Sequence, residues 1–321
     1  MQYVSLGRTG LKVSRLCLGA MTFGWSADQA ASVAILNAAL DAGINFIDTA
    51  DIYSRWIEGN SGGESETIIG HWLKGQSRRE IVLATKARGR MWAGPNGEGL
   101  SRAHLLQAVD DSLRRLQTDY IDLYQVHWPD EETPLDETLS ALDSLVQAGK
   151  VRYIGASNYP AWLLTKTLWV SDMRGLVRFD CLQPHYSLLH RDEFERELLP
   201  LCKDQGIAVI PYSPLAAGFL TGKYSGESAQ VDTTRGSSGL IQRLTSDERA
   251  FTVLEQVRRI ATAYGVPMAH VALAWMLANP VITSPIIGAR TLEQLEEVTG
   301  AISLKLTSEE INALNEVSKG F

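Results

Sequence analysis

Asp48, Tyr53, Lys86 and His127 are ionisable residues whose types together suit one chemistry, delivery of a proton to a carbonyl oxygen that is gaining negative charge. Tyrosine is a poor acid at its ordinary pKa of about 10. A neighbouring ammonium stabilises the phenolate and lowers that value, and a carboxylate beside the ammonium keeps it charged and oriented. Lys86 and Asp48 can take those parts, while His127 can hydrogen-bond the carbonyl oxygen and polarise it. Each residue also has an ordinary reading. A strand-end lysine is most often a solvated rim residue, a strand-end aspartate often caps a loop, and a lone histidine after an apolar run is usually a satisfied core group. Tyr53 by itself is a pocket-lining aromatic. The case for chemistry rests on whether the fold brings the four together.

The elements that would do so alternate along the chain. Short apolar, β-branched runs read as strands at Leu16–Ala20, Asn45–Ala50, Ile81–Lys86, Ile121–His127, Val151–Ser157, Phe179–His185, Ile207–Ser213 and Thr283–Gly288. Between them lie segments of helical period such as Ser101–Leu116, where Leu105, Leu106, Val109, Leu113 and Leu116 share a face. About eight such units predict an α/β fold, a (β/α)8 TIM barrel. A doubly wound open sheet would normally show a glycine fingerprint after an early strand. Here the first strand runs into Ala20-Met21-Thr22-Phe23-Gly24-Trp25, which lacks it, and Gly94, Gly97 and Gly99 have the wrong spacing.

In a barrel the site sits where strands end at the carboxyl face. Asp48 and Tyr53 follow the second strand, Lys86 ends the third and His127 the fourth, so three successive units can converge. Tyr3–Leu6 and Leu11–Val13 flank Gly7-Arg8-Thr9-Gly10 and predict an N-terminal β-hairpin on the barrel floor. Pro214–Leu244 is rich in Gly, Ser and Thr without periodicity, and reads as a mobile loop over the site, with its closure on the cofactor left open. Capping-box patterns predict extra helices starting at Thr245 and Thr307. No linker or composition shift divides the chain, so residues 1–321 are read as a single domain.

Composition narrows the function classes. The chain is 45% hydrophobic and 21% charged, without an apolar run of membrane-spanning length, so no membrane association is expected. A formal charge of −7 argues against nucleic acid as a partner. Cys17, Cys181 and Cys202 are far apart and form neither a disulfide frame nor a metal set. With no export signal at Met1–Gly10, a cytoplasmic protein is expected, and a homo-oligomer stays open.

Asp48-Thr49-Ala50-Asp51-Ile52-Tyr53, then Gly63-Glu64-Ser65-Glu66 and Gly70, resembles the signature of the aldo-keto reductase superfamily. The match continues through Ala84-Thr85-Lys86, Asp119–His127 and Gly149–Asn158. It extends through Tyr212-Ser213-Pro214-Leu215-Ala216-Ala217-Gly218 and Leu220-Thr221-Gly222-Lys223, and ends at Ile287-Gly288-Ala289-Arg290. The blocks run in order over almost the whole chain. The Ser-Pro-Leu and Gly-Lys elements resemble the bacterial branch related to potassium-channel β subunits.

The resemblance implies an NADPH-dependent reductase of aldehydes and ketones, with Asp48, Tyr53, Lys86 and His127 as its tetrad and Tyr53 as general acid. NADPH would lie extended across the barrel mouth. Ser157, Asn158 and Gln183 match positions that hold the carboxamide, and Tyr212 the one that stacks on the nicotinamide. Ser213, Pro214, Leu215, Gly218 and Lys223 fall in the loop expected along the diphosphate. Gly288, Arg290, Gln294 and Glu297 would serve the 2′-phosphate and adenine end. A physical argument supports that end independently: Thr291 with Gln294 opens a helix whose free N–H groups attract anions, and Arg290 precedes it.

Two departures stand out. Val298 occupies a position where the family often has an adenine-contacting Asn, and Ser54–Ser61 is a longer stretch after the tyrosine. Trp25, Trp56, Trp92 and Trp128 fall in mouth loops and would build an apolar pocket for a small-molecule carbonyl substrate. Other readings are a nucleotide-sensing binding subunit of the channel-β type with incidental turnover, and a lyase using Lys86 as a Schiff base.

Overall fold

The computed structural model describes residues 1–224 and 239–321. Two short strands, β1 (Tyr3–Ser5) and β2 (Lys12–Ser14), pair antiparallel as the expected hairpin. Eight parallel strands follow: β3 (Cys17–Gly19), β4 (Phe46–Asp48), β5 (Val82–Ala87), β6 (Ile121–Val126), β7 (Val151–Ser157), β8 (Phe179–Gln183), β9 (Ala208–Val209) and β10 (Ile286–Gly288). They pair in chain order, and β10 returns to lie beside β3. The remaining edge is tied by Ile286 N–H donating to Pro211 O at 2.8 Å and Thr283 N–H to Val209 O at 2.8 Å. This is the predicted (β/α)8 barrel.

Strand residues alternate between the lumen and the helix-facing side. Phe46, Val82, Ala84, Leu123 and Cys181 fill the lumen, and Leu6 and Val13 of the hairpin join that core from below. The hairpin is pinned there by Arg8 N–H on Gly206 O at 2.9 Å and by the Arg8–Asp180 ion pair. The outer faces of the strands pack against α1 (Gln29–Asp41), α2 (Glu64–Leu73), α3 (Arg102–Leu116), α4 (Leu135–Gln147), α5 (Ala161–Arg174) and α6 (Leu199–Gln205). In α3, Leu105, Val109 and Leu116 are buried along one stripe, and Ser101 caps its first turn by accepting from His104 N–H.

Further helices follow β9: α7 (Gly239–Thr245), α8 (Glu248–Tyr264) and α9 (Met268–Ala278); α10 (Leu292–Thr299) and α11 (Ser308–Val317) come after β10. Thr307 and Glu310 form the expected capping box of α11. The start expected at Thr245 is displaced. Thr245 ends α7 with its hydroxyl donating back to Ile241 O at 2.8 Å, and Asp247 caps α8 by accepting from Arg249 N–H at 2.9 Å. Among the described residues no single helix is long and apolar enough to cross a membrane.

The segment read as the aperiodic loop Pro214–Leu244 has helical ends. Ala216–Thr221 is a 3-10 turn broken by left-handed Ala217 and Gly218, and α7 is seven residues long. Neither is regular or long enough to leave a helical period in the sequence. Residues 225–238 of that loop, and with them the question of closure, lie outside the described residues.

Candidate active site

Strand alternation decides which polar residues meet. The lumen positions of β4, β5, β6 and β8 run Phe46–Asp48, Ala84–Lys86, Leu123–Gln125 and Cys181–Gln183, apolar below and polar at the carboxyl end. Parallel pairing sets Asp48 beside Ala84 and Lys86 beside Gln125. The top layer of the lumen is therefore Asp48, Lys86, Gln125 and Gln183, all buried. Gly155 on β7 leaves room for this layer, since a β-carbon there would come within 3.2 Å of Gln125 Cγ.

Lys86 is the centre of the cluster and has no exposed surface. Its ammonium donates to Asp48 Oδ2 at 2.6 Å, to Thr49 O at 2.8 Å and to Tyr53 Oη at 3.0 Å. An ammonium has three donors and no acceptor, so all are spent. The Asp48 Oδ1 atom accepts from Gln125 Nε2 at 3.0 Å and Gln183 Nε2 at 2.9 Å. Burial alone would lower the Lys86 pKa, but Asp48 and Tyr53 reverse this and hold the ammonium above its ordinary range. Such a nitrogen has no lone pair to offer a carbonyl, which counts against a Schiff base.

Because Tyr53 Oη accepts from Lys86, its own O–H is left to point elsewhere, and Tyr53 lines the cleft at the barrel mouth. Its titration differs from the expectation. Burial pushes the phenol above its ordinary pKa, and the opposing pull of Lys86 does not overcome it. His127, just beyond β6, has its ring 5.9 Å from that of Tyr53. Burial, helped by the charge of Lys86, holds it well below the ordinary histidine range, so it is neutral at pH 7.

The turn carrying Tyr53 is tied on several sides, which explains the motif residues around it. Thr49 Oγ1 and Ser65 Oγ lie 2.8 Å apart, and Ser65 Oγ donates to Ala20 O at 2.8 Å. Ser54, at a left-handed φ of 73°, donates its hydroxyl to Phe23 O at 2.7 Å. Behind the turn, Glu66 accepts from Thr85 Oγ1 at 2.5 Å and pairs with Arg115 at 2.7 Å. Asp51 is fully buried beside this group, and burial with the charge of Glu66 pushes its pKa well up. Asn60 Nδ2 bridges Gly24 O and Ser54 O, each at 3.1 Å, so the longer stretch after Tyr53 is anchored to the loop after β3.

From Tyr53 a cleft of about 620 Å³ runs across the mouth toward α10. Ser157, Asn158, Gln183 and Tyr212 line it near Tyr53; Ser213, Pro214, Leu215, Gly218 and Lys223 line its middle; Gly288, Arg290, Gln294, Glu297 and Val298 line its far end. Asn158 donates to His127 O at 3.0 Å and accepts from Tyr212 Oη at 2.9 Å, which links the near wall to the cluster. The Tyr212 ring is backed by a stack: His185 lies 5.0 Å away at 9°, and His190 lies 4.0 Å beyond it. Burial lowers the His185 pKa to about 4, so the middle ring of the stack is uncharged at pH 7. Along the middle wall Ser213, Ala216 and Ala217 all have left-handed φ, a concentration of strain of the kind found at ligand clamps.

At the far end Thr291 caps α10 by accepting from Gln294 N–H at 3.3 Å. Gln294 Oε1 accepts from Arg290 N–H at 2.9 Å, fixing Arg290 at the helix start. Val298 is buried there and offers no polar group. Of the four tryptophans, Trp128 lines the cleft; Trp56 packs edge-on at 6.2 Å from Tyr53, with Trp25 against it at 5.6 Å. Trp92 is outside the lining and stacks on His104 of α3 at 4.7 Å. Gln125 is not singled out by the sequence; its signal is a polar residue two positions after Leu123, on the same lumen-facing side of β6. Among the described residues no cluster of three His, Cys, Asp or Glu side chains could hold a metal ion.

A buried ammonium–carboxylate pair hydrogen-bonded to a phenol that lines the cleft is an arrangement chemically able to deliver a proton. Comparison with known proteins identifies the family. The Aldo/keto reductase family matches residues 15–319. YrpG of Bacillus subtilis, described as an uncharacterized oxidoreductase, is 43% identical with 100% of this chain and 97% of that protein aligned. Versiconal hemiacetal acetate reductase of Aspergillus parasiticus is 36% identical over 98% and 96% of the two chains. A probable voltage-gated potassium channel subunit beta of Oryza sativa subsp. japonica is 36% identical over 99% and 96%. With the barrel, the polar layer and a match over nearly its whole length, the chain belongs to the aldo/keto reductase family and is an oxidoreductase acting on carbonyl groups.

Proposed function

We propose that the protein is an NADPH-dependent reductase of small aldehydes and ketones in which Tyr53 donates the proton, with residues 1–321 acting as one unit. The observation that carries this reading is the saturated Lys86 ammonium, which makes Tyr53 Oη an acceptor and frees its proton for the cleft. The donor set of the cleft suits the cofactor. Ser157 and Asn158 offer polar groups for an amide near Tyr53, the Gln183 side-chain oxygen is bonded to no described residue, and Lys223 and Arg290 put positive charge toward the other end. NADPH, when bound, supplies hydride to the carbonyl carbon.

The chain's own residues manage the oxygen. Tyr53 Oη gives its proton to the carbonyl oxygen as charge grows there, and the ammonium of Lys86 stabilises the phenolate left behind. Asp48 keeps Lys86 charged and aimed, and Gln125 and Gln183 fix the second Asp48 oxygen. Neutral His127 donates one N–H to the same carbonyl oxygen without competing as an acid. Tyr212, backed by His185, forms the flat wall for the nicotinamide. Free, buried cysteines suit a reducing, cytoplasmic setting.

The test is NADPH oxidation with a panel of aldehydes followed across pH. Many turnovers per protein are expected. His127 is held low and Tyr53 high, so neither changes charge in the neutral range, and kcat/KM should be level from about pH 6 to about pH 9. A loss of rate belongs above the ordinary tyrosine value, where the acid form disappears. A limb near the ordinary histidine pKa would refute the neutral His127. The channel-subunit relatives support a second reading, a nucleotide-binding subunit; tight NADPH binding without repeated turnover would favour it.

Arg290→Ala should weaken NADPH binding about 10- to 100-fold, the worth of charge-assisted hydrogen bonds to a phosphate, and leave NADH binding nearly unchanged. Fluorescence titration with both nucleotides measures this. Equal losses for the two would remove Arg290 from the 2′-phosphate.

A further inference from the structure

Arg88 follows directly on β5, two residues after Lys86, at the carboxyl face of the barrel. It belongs to none of the interactions described for the catalytic cluster. Its backbone is strained, with φ of 148° in a non-glycine residue. The strain is held in place by close packing: a β-carbon on the next residue, Gly89, would lie 2.3 Å from Ile52 Cδ1, so the loop presses on the turn that carries Tyr53.

The guanidinium is half-buried, and among the described residues it makes no hydrogen bond and no ion pair. Its Nε is fully shielded and has no partner. A buried charged donor left unpaired is unfavourable and rare, and the terminal nitrogens beyond it remain accessible to a ligand. The nearby acid does not do so. Asp130 feels the charge of Arg88, but its oxygens are occupied by Leu100 N–H and Thr133 Oγ1 at 2.7 Å each and by Glu132 N–H at 3.1 Å. The guanidinium carbon instead sits 5.2 Å from the ring centre of Trp128, which lines the cleft and whose ring is 4.7 Å from that of His127.

Resting on the reductase reading above, we infer that Arg88 is a specificity residue that receives a carboxylate of the carbonyl substrate, so that the preferred substrates are aldehydes bearing an acid group. A guanidinium carried beside an indole presents a fork of N–H donors that matches a planar carboxylate. Tyr53, His127, Trp128 and Arg88 are joined by successive contacts of 5.9, 4.7 and 5.2 Å, and Arg88 lies outside the cleft lining behind Trp128, so the acid group would be received beyond the aromatic rings, away from the reacting end. In a protein of formal charge −7, a local unpaired cation beside the site selects anionic ligands that the overall field would repel.

The test compares para-carboxybenzaldehyde with its methyl ester in the intact protein and in Arg88→Met, which keeps an apolar stem against Trp128. The wild type should favour the acid in kcat/KM by on the order of tenfold, and Arg88→Met should abolish that preference through KM for the acid alone. Arg88→Lys should restore part of it. No preference in the wild type, or an equal loss for acid and ester in the variant, overturns the proposal. Calorimetric binding of para-(hydroxymethyl)benzoate gives a readout without turnover: about tenfold weaker binding to Arg88→Met is expected, and equal affinities refute the site. If neither aldehyde is reduced while calorimetry separates the two proteins, the reductase reading fails and the anion site stands.

Discussion

Replacing Tyr53 by phenylalanine should lower the rate of aldehyde reduction about 100- to 10,000-fold, the usual worth of a positioned general acid. The ring keeps its packing against Trp56 and His127, so the cleft wall survives. What disappears is the cleft-facing proton, together with the acceptor for one N–H of Lys86. NADPH affinity should stay within about twofold, because no cofactor contact is assigned to that hydroxyl and the lost transition-state contact belongs to the chemical step. Single-turnover kinetics with a parallel binding titration separates the two effects. A variant that reduces aldehydes at the parent rate would show that the proton comes from elsewhere.

Lys86→Met should be both inactive and markedly unstable. Asp48 would remain buried, holding its bonds to Gln125 and Gln183 but without the cation that compensates its charge. Breaking a buried ion pair from one side costs about 3–5 kcal/mol, which corresponds to a fall in Tm on the order of 10 °C for a chain of this size. Adding Asp48→Asn should recover about 1–2 kcal/mol, since the charge stranded in the lumen is gone, while activity stays absent. Thermal denaturation of the single and double variants checks this. A single variant as stable as the parent would mean that the pair is not buried as described, and a double variant no better than the single would place the loss in packing instead of charge.

The catalytic candidates were legible because they fall at strand ends in a repeating strand–helix pattern, and a repeat of period two places such residues on one face of a barrel. Gln125 was not legible in that way. It lies inside β6 among apolar neighbours, and its use emerges when parallel register sets it against Lys86. The same holds for Arg88, whose meaning depends on the absence of a partner for its guanidinium, a property of its surroundings. The direction of the Tyr53 shift was misread for a related reason: the sequence places an ammonium near the phenol, but the degree of burial decides which influence wins.

By itself, then, the order of residues determined the barrel, the hairpin beneath it, the caps of α10 and α11, and the identity of the groups available for proton transfer. These follow from local periodicity and from hydrogen bonds between near neighbours. Only the tertiary structure decided how those groups are spent: three donors of Lys86 on three acceptors, the tyrosine oxygen accepting so that its proton is not used on Lys86, Trp92 turned onto His104, and the Arg88 guanidinium left beside Trp128 without a partner among the described residues. Saturation, burial and orientation are set by residues that meet from distant parts of the chain, and no local pattern encodes them.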